Sequence, residues 1–172
     1  MFERRDDVKI AVIGEKCGEI EGFAITWFDS KPNDMPSDFD FVIDISGSNV
    51  FITFWDEKKC EILCEDKEVL LQQLISLIVD EKYVDIDIFD INVVMKEKCT
   101  FKSYISSVDD ICSVLHERDK SSCKSAFAYI NGDFSLLDLK EIVKELSNNI
   151  LVLYGAKLDE SMNREVRVSL WY

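Results

Sequence analysis

Basic residues are scarce in this 172-residue chain: 20 lysines and arginines stand against 34 aspartates and glutamates, a formal net charge of −14. Nucleic acid is therefore excluded as a partner, because binding it requires a basic face to neutralise phosphates. Long apolar runs are also missing. None approaches the ~20 residues that cross a bilayer, so no membrane partner is expected. The opening MFERRDDVKI lacks the apolar centre of a signal peptide. A cytoplasmic setting is expected, with the cysteines reduced. Histidine occurs once, as His116. Of the cysteines at 17, 60, 64, 99, 112 and 123, only Cys60 and Cys64 are close in sequence. That distribution offers no metal-ligand cluster, so no metal is expected. Repeats and low-complexity segments are absent as well.

Proline is nearly absent, and both copies fall in one loop, SKPNDMPSD at 30–38. What remains is rich in core material: 47% of residues are apolar, enough for a packed interior. Val8–Ile13 is a nearly continuous apolar run ending at Gly14, the pattern of a buried parallel strand. Phe23–Phe28, Phe39–Ile45, Val50–Trp55 and Glu57–Cys64 read as further strands. Ser46-Gly47-Ser48-Asn49 reads as a tight hairpin turn. Lys67–Val79 carries a broad apolar stripe and predicts a largely buried helix.

The stretch from Glu81 to Ser107 comes next. Asp85, Asp87 and Asp90 have a D-x-D-x-x-D spacing, and Asp85 and Asp87 alternate with Val84, Ile86 and Ile88. Alternation sends the acids one way and the apolar residues into the protein. Asp90 is placed to cap a helix spanning Asp90–Lys98. Beyond it the pattern predicts strand Thr100–Ser106, helix Val108–Glu117, strand Ser125–Asn131, a turn at Asn131-Gly132-Asp133 and helix Leu136–Leu146 capped by Ser135. Strands Asn149–Leu158 and Val166–Tyr172 follow. Ser125–Asn131 and Asn149–Leu158 are expected in one sheet.

Asp85-Ile-Asp87-Ile-Phe-Asp90-Ile-Asn-Val-Val94-Met95 resembles the synergy loop and following helix of FtsZ, the prokaryotic relative of tubulin. SAFAYINGDFSLLDLKEIVKEL resembles that family's strand, glycine turn and helix, and NILVLYGAKLDESMNREVRVSLWY its last hairpin. The likeness runs in order from Val84 to Tyr172. It implies an α/β to α+β fold with three parts: a trimmed Rossmann-like N-terminal sheet (1–66), a core helix with the acidic loop (67–89), and an FtsZ-type C-terminal domain (90–172) whose four-stranded sheet has helices mainly on one face. In the family, two glycine-rich loops hold GTP, and the next subunit's synergy loop positions the attacking water. On that pattern Asp87 and Asp90 match the catalytic pair, and Asp85 stands where an asparagine is usual.

The nucleotide side departs from the family. Only Gly14 and Gly18 remain in the first phosphate loop, with Glu15 and Glu19 inside it. The second loop reduces to Ser46, Gly47 and Ser48. Glycines are needed there because backbone N–H groups must approach phosphate unobstructed. No GTP or other cofactor is therefore expected. The resemblance points to a non-GTP-binding relative that contacts FtsZ, or another FtsZ-like protein including a second copy of itself, through the acidic loop. Two alternatives stand beside it. One is a minimal or in-trans GTPase; the other is an α+β binding module of unrelated role. The family's usual C-terminal tether is expected to be missing after Tyr172. The loop acids also have a plain reading, as a helix cap and two solvated carboxylates.

Overall fold

The computed structural model describes residues 8–16, 25–33, 38–54, 58–80, 84, 86, 90–92, 95, 97–117, 125–148 and 150–172. The chain divides into two compact units, Met1–Val79 with Lys96–Cys99, and Asp80–Met95 with Thr100–Tyr172.

The first unit contains β1 (Ile10–Ile13), β2 (Ile25–Phe28), β3 (Phe41–Asp44), β4 (Val50–Phe54), β5 (Lys59–Leu63) and α1 (Lys67–Val79). Its strands lie in the order β2-β1-β3-β4-β5. β1 runs parallel to both neighbours, and all four of its residues are buried. An apolar run without alternation is what a strand covered on both faces requires. The parallel arrangement ends at β3. β4 is antiparallel to β3, and β5 to β4. Residues 45–49 close the β3–β4 hairpin, with Asp44 opposite Phe51. A hairpin needs only a short connection, whereas a parallel crossover needs a dozen residues or more. That is why no helix separates these strands. α1 buries Leu70, Leu71, Leu74, Ile75 and Leu77.

The second unit is built on a sheet ordered β6-β9-β7-β8, comprising β6 (Lys98–Ser107, its first two residues in the first unit), β7 (Ser125–Gly132), β8 (Leu151–Leu158) and β9 (Glu165–Trp171). β7 and β8 are parallel, and β9 is antiparallel to β7 and β6. Ala128, Ile130, Ala156, Val166, Val168 and Leu170 pack with α2 (Ile111–His116) and α3 (Leu136–Leu146) through Ile111, Leu115, Leu139, Ile142 and Leu146. Each large aliphatic side chain so buried contributes about 1.5–3 kcal/mol.

Two helices differ from their sequence expectation. The helix at Asp90 does not reach Lys98: Lys98 already belongs to β6, and Glu97 accepts a 2.8 Å hydrogen bond from the Glu61 N–H. Pairing with β5 overrides helix propensity there. The helix expected over Val108–Glu117 spans only Ile111–His116, because Ser107–Asp110 forms a turn closed by the Asp110 N–H on the Ser107 carbonyl.

α3 starts where the sequence places it. Ser135 Oγ accepts from the Asp138 N–H, and the Asp138 carboxylate accepts from the Ser135 N–H and Oγ at 2.8 and 2.7 Å. Those bonds, first the Ser135 hydroxyl, then its backbone N–H, then Arg164, hold the Asp138 carboxyl below the usual carboxylate range. An ordinary unfolded Asp titrates near ~3.9. The contribution of Asp138 to stability is thus complete above that pH and is lost as pH falls through its lower folded value. Ser135→Ala should cost about 1 kcal/mol in urea unfolding at neutral pH. Asp138→Asn should flatten the acid limb of stability against pH. An acid limb identical to that of the wild type would show that the carboxylate contributes nothing.

Gly132, ending β7, has φ +155°, and a Cβ there would lie 2.5 Å from the Glu165 carbonyl oxygen. A side chain is excluded by the close approach of β9. Among the described residues, no helix is long and apolar enough to cross a membrane.

Candidate functional site

In a parallel α/β sheet, ligands sit beyond the carboxyl ends of the strands. In the first unit that position lies after β1 and β3, where Gly14 and the 45–49 turn meet. Gly14 has φ +130°. A Cβ on it would stand 2.8 Å from Ile45 Cγ1 and 3.1 Å from the Ser46 nitrogen. Backbone bonds hold it there: the Gly14 N–H donates to the Phe28 carbonyl, and the Ile45 N–H to the Ile13 carbonyl, each at 2.8 Å. Gly14 is thus a packing glycine that lets β1 abut the turn after β3.

The turn's own polar groups are engaged by side chains. Asp44 Oδ1 accepts from the Ser46 N–H at 3.0 Å and from Ser46 Oγ at 2.6 Å. Lys67, the first residue of α1, donates through Nζ to the Ile45 carbonyl at 3.1 Å and to the Gly47 carbonyl. Asn49 Nδ2 donates to Glu61 Oε1 at 2.5 Å, and Glu61 also pairs with Lys98 at 3.1 Å. A phosphate group arriving here would meet the Asp44 carboxylate on the Ser46 donors, a repulsive like-charge contact. Gly47 is not sterically required, since the nearest atom to a Cβ would be 3.8 Å away. Ser48 is exposed. Gly18 and Glu19 lie outside the described residues.

Asp44 and Lys67 were not among the sequence candidates. Asp44-Ile45-Ser46 is the spacing of a side-chain-closed turn, which could have identified Asp44. Lys67 has no local signature, because its partners are 20 and 22 residues away.

The second unit carries the acidic stretch, anchored along β8. Asp80 pairs with Lys157 at 2.6 Å. Val84 exchanges two 3.0 Å backbone hydrogen bonds with Ala156. Ile86 is buried, and a Cβ on Gly155 would lie 3.4 Å from its Cδ1. Ile86 packs over Gly155, where an added Cβ would make ordinary van der Waals contact with it. Asp90 is exposed at the start of a helical segment whose Ile91, Asn92 and Met95 are buried. The inward Ile86 agrees with the alternation in the sequence, and the exposed Asp90 with its expected place at a helix start. Asp85 and Asp87 lie outside the described residues. No group of three or more His, Cys, Asp or Glu that could hold a metal ion occurs among the described residues.

No protein-family model and no curated protein matches the chain. Solved structures do. FtsZ of M. jannaschii in its W319Y form matches with a TM-score of 0.51 and 22% identity, over 60% of this chain and 36% of that one. The empty FtsZ dimer of the same organism matches with a TM-score of 0.50 and 22% identity, over 59% of this chain and 34% of that one. The chain has an FtsZ-like mixed α/β fold across the matched part, and it spans about a third of the length of these structures.

Proposed function

We propose that this protein is an FtsZ-like relative that does not bind GTP and acts on FtsZ-type polymers in the cytoplasm through its acidic loop. The observation that carries the first half is the side-chain closure of the turn after β3. Asp44 takes the Ser46 donors, and Lys67 takes the Ile45 and Gly47 carbonyls. A phosphate cradle works the other way, with free N–H groups presented to an anion.

The second half rests on the anchoring of the 80–92 stretch to β8. Contacts at Asp80, Val84 and Ile86 fix the stretch against the strand. The inward Ile86 is what the alternating sequence pattern expects. In the arrangement that the family resemblance implies, such a loop docks on the nucleotide face of the next subunit. A filament of this kind grows through head-to-tail contacts. A subunit with one competent face and one closed face terminates it. Asp85 adds negative charge beside the partner's nucleotide, so docking should need a divalent cation to offset it.

Calorimetry with GTP and Mg²⁺ tests the nucleotide half. The expected result is no heat of binding at physiological GTP and no GTP-dependent rise in melting temperature. Micromolar affinity with such a rise would overturn it and favour the GTPase alternative.

A further inference from the structure

Two buried thiols meet in the first unit without any part in the proposed function. Cys60 lies on β5 and Cys99 at the start of β6, with relative exposures of 0% and 6% and sulfurs 3.6 Å apart. Both are free. We propose that Cys60 and Cys99 form a redox-active dithiol that a small peroxide converts to a disulfide.

A disulfide requires the sulfurs to close to about 2.05 Å. From 3.6 Å that is within reach of side-chain rotation about Cα–Cβ. The pair is also asymmetric. The two sulfurs share a contact in which either can donate; that contact lowers the Cys60 thiol's pKa against the effect of burial, with Lys58 adding to the lowering and Glu61 opposing it. The same contact and burial push the Cys99 thiol up. Cys60 is therefore the attacking sulfur and Cys99 the resolving one, since the thiolate is the nucleophile.

In the first step the Cys60 thiolate attacks one oxygen of hydrogen peroxide. The O–O bond breaks, the departing hydroxide takes up a proton to become water, and Cys60 becomes a sulfenic acid. In the second step Cys99 sulfur attacks Cys60 sulfur. The S–O bond breaks, and the leaving hydroxide departs with the Cys99 proton as a second water. Two thiols and one peroxide yield one disulfide and two waters; a dithiol reductant reverses the change by exchange. Burial selects the oxidant: peroxide is nearly as small as water, whereas a glutathione-sized disulfide cannot reach either sulfur. The bond would close the chain from 60 to 99, a segment that contains α1.

The full-length protein, reduced and then treated with a few equivalents of hydrogen peroxide, gives the test. Peptide mapping without reductant should recover a Cys60–Cys99 cross-linked peptide. The melting temperature should rise by roughly 5–10 °C through the constraint on the unfolded chain and return after reduction with dithiothreitol in denaturant and refolding. In Cys99→Ser, the Cys60 sulfenic acid should persist and be trapped by dimedone once the peroxide is removed and the protein is unfolded in denaturant. In Cys60→Ser, Cys99 should stay a thiol. Wild-type mapping needs no variant to fold: if Cys60 and Cys99 remain thiols while the partly exposed Cys64 and Cys112 oxidise, the proposal is wrong.

Discussion

Trp171→Ala is expected to cost about 3–5 kcal/mol. Trp171 is 2% exposed near the end of β9, directly opposite Phe101 on β6 and Phe127 on β7. Its ring centroid lies 4.9 Å from that of Phe101 and 5.5 Å from that of Phe127. Such aromatic pairs add about 0.5–1.5 kcal/mol each beyond area burial. Truncation removes both contacts and opens a cavity at the centre of three strands. Measured against a typical total of ~5–15 kcal/mol, the loss should move the urea midpoint far down or leave the chain unfolded at 37 °C. Trp171→Phe is the control. Among the described residues the indole Nε1 has no hydrogen-bond partner, so its loss is expected to forfeit no bond. The Phe variant should therefore retain most of the stability. Equal losses from both variants would mean that a hidden partner of the indole, rather than ring packing, holds β9.

The parts legible in the sequence are those where local pattern and tertiary packing agree. α1 occupies the predicted Lys67–Val79, and α3 the predicted Leu136–Leu146 with its Ser135 cap. In α3 the capping chemistry and apolar period point to the same start. The fully buried β1 was legible because Val8–Ile13 is an apolar run without alternation, too short for a helix and stopped by Gly14. The boundary at Lys98 was not legible. Nothing local says that Glu97 will pair with Glu61, 36 positions earlier in the chain. The same limit applies to the turn after β3. Its hairpin chemistry was visible in Ser-Gly-Ser-Asn, but the clamp by Lys67 is a long-range contact. The loss of glycines suggested that the phosphate loops were eroded. At the turn after β3 the structure shows a carboxylate on the Ser46 donors and an ammonium on the Ile45 and Gly47 carbonyls.

The second large effect is on polymers. If the proposed capping holds, one terminating copy per ~20 FtsZ subunits would bound the mean filament near ~20 subunits. A substoichiometric amount should therefore depress light scattering strongly, and only when a divalent cation is present. Asp87→Ala should weaken this effect, and the alternation of Asp87 with Ile86 and Ile88 in the sequence leads to the expectation of little loss of stability. Asp85→Asn makes the loop more like the family pattern and removes a charge near the partner's phosphates, so it should change GTP turnover by the partner. Asp90→Ala is a poorer probe, because Asp90 stands at the start of a helical segment, where a favourable interaction with the helix end is worth ~0.3–1 kcal/mol.

The most direct measurement is light scattering and phosphate release from FtsZ of the same organism, assembled with GTP and Mg²⁺ and titrated with wild type, Asp85→Asn and Asp87→Ala. The predicted result is a wild-type drop in scattering well below equimolar ratio that Asp87→Ala reduces, with a shifted turnover for Asp85→Asn. Scattering and phosphate release that stay unchanged up to equimolar wild type would contradict the account and leave the acidic loop a structural inheritance.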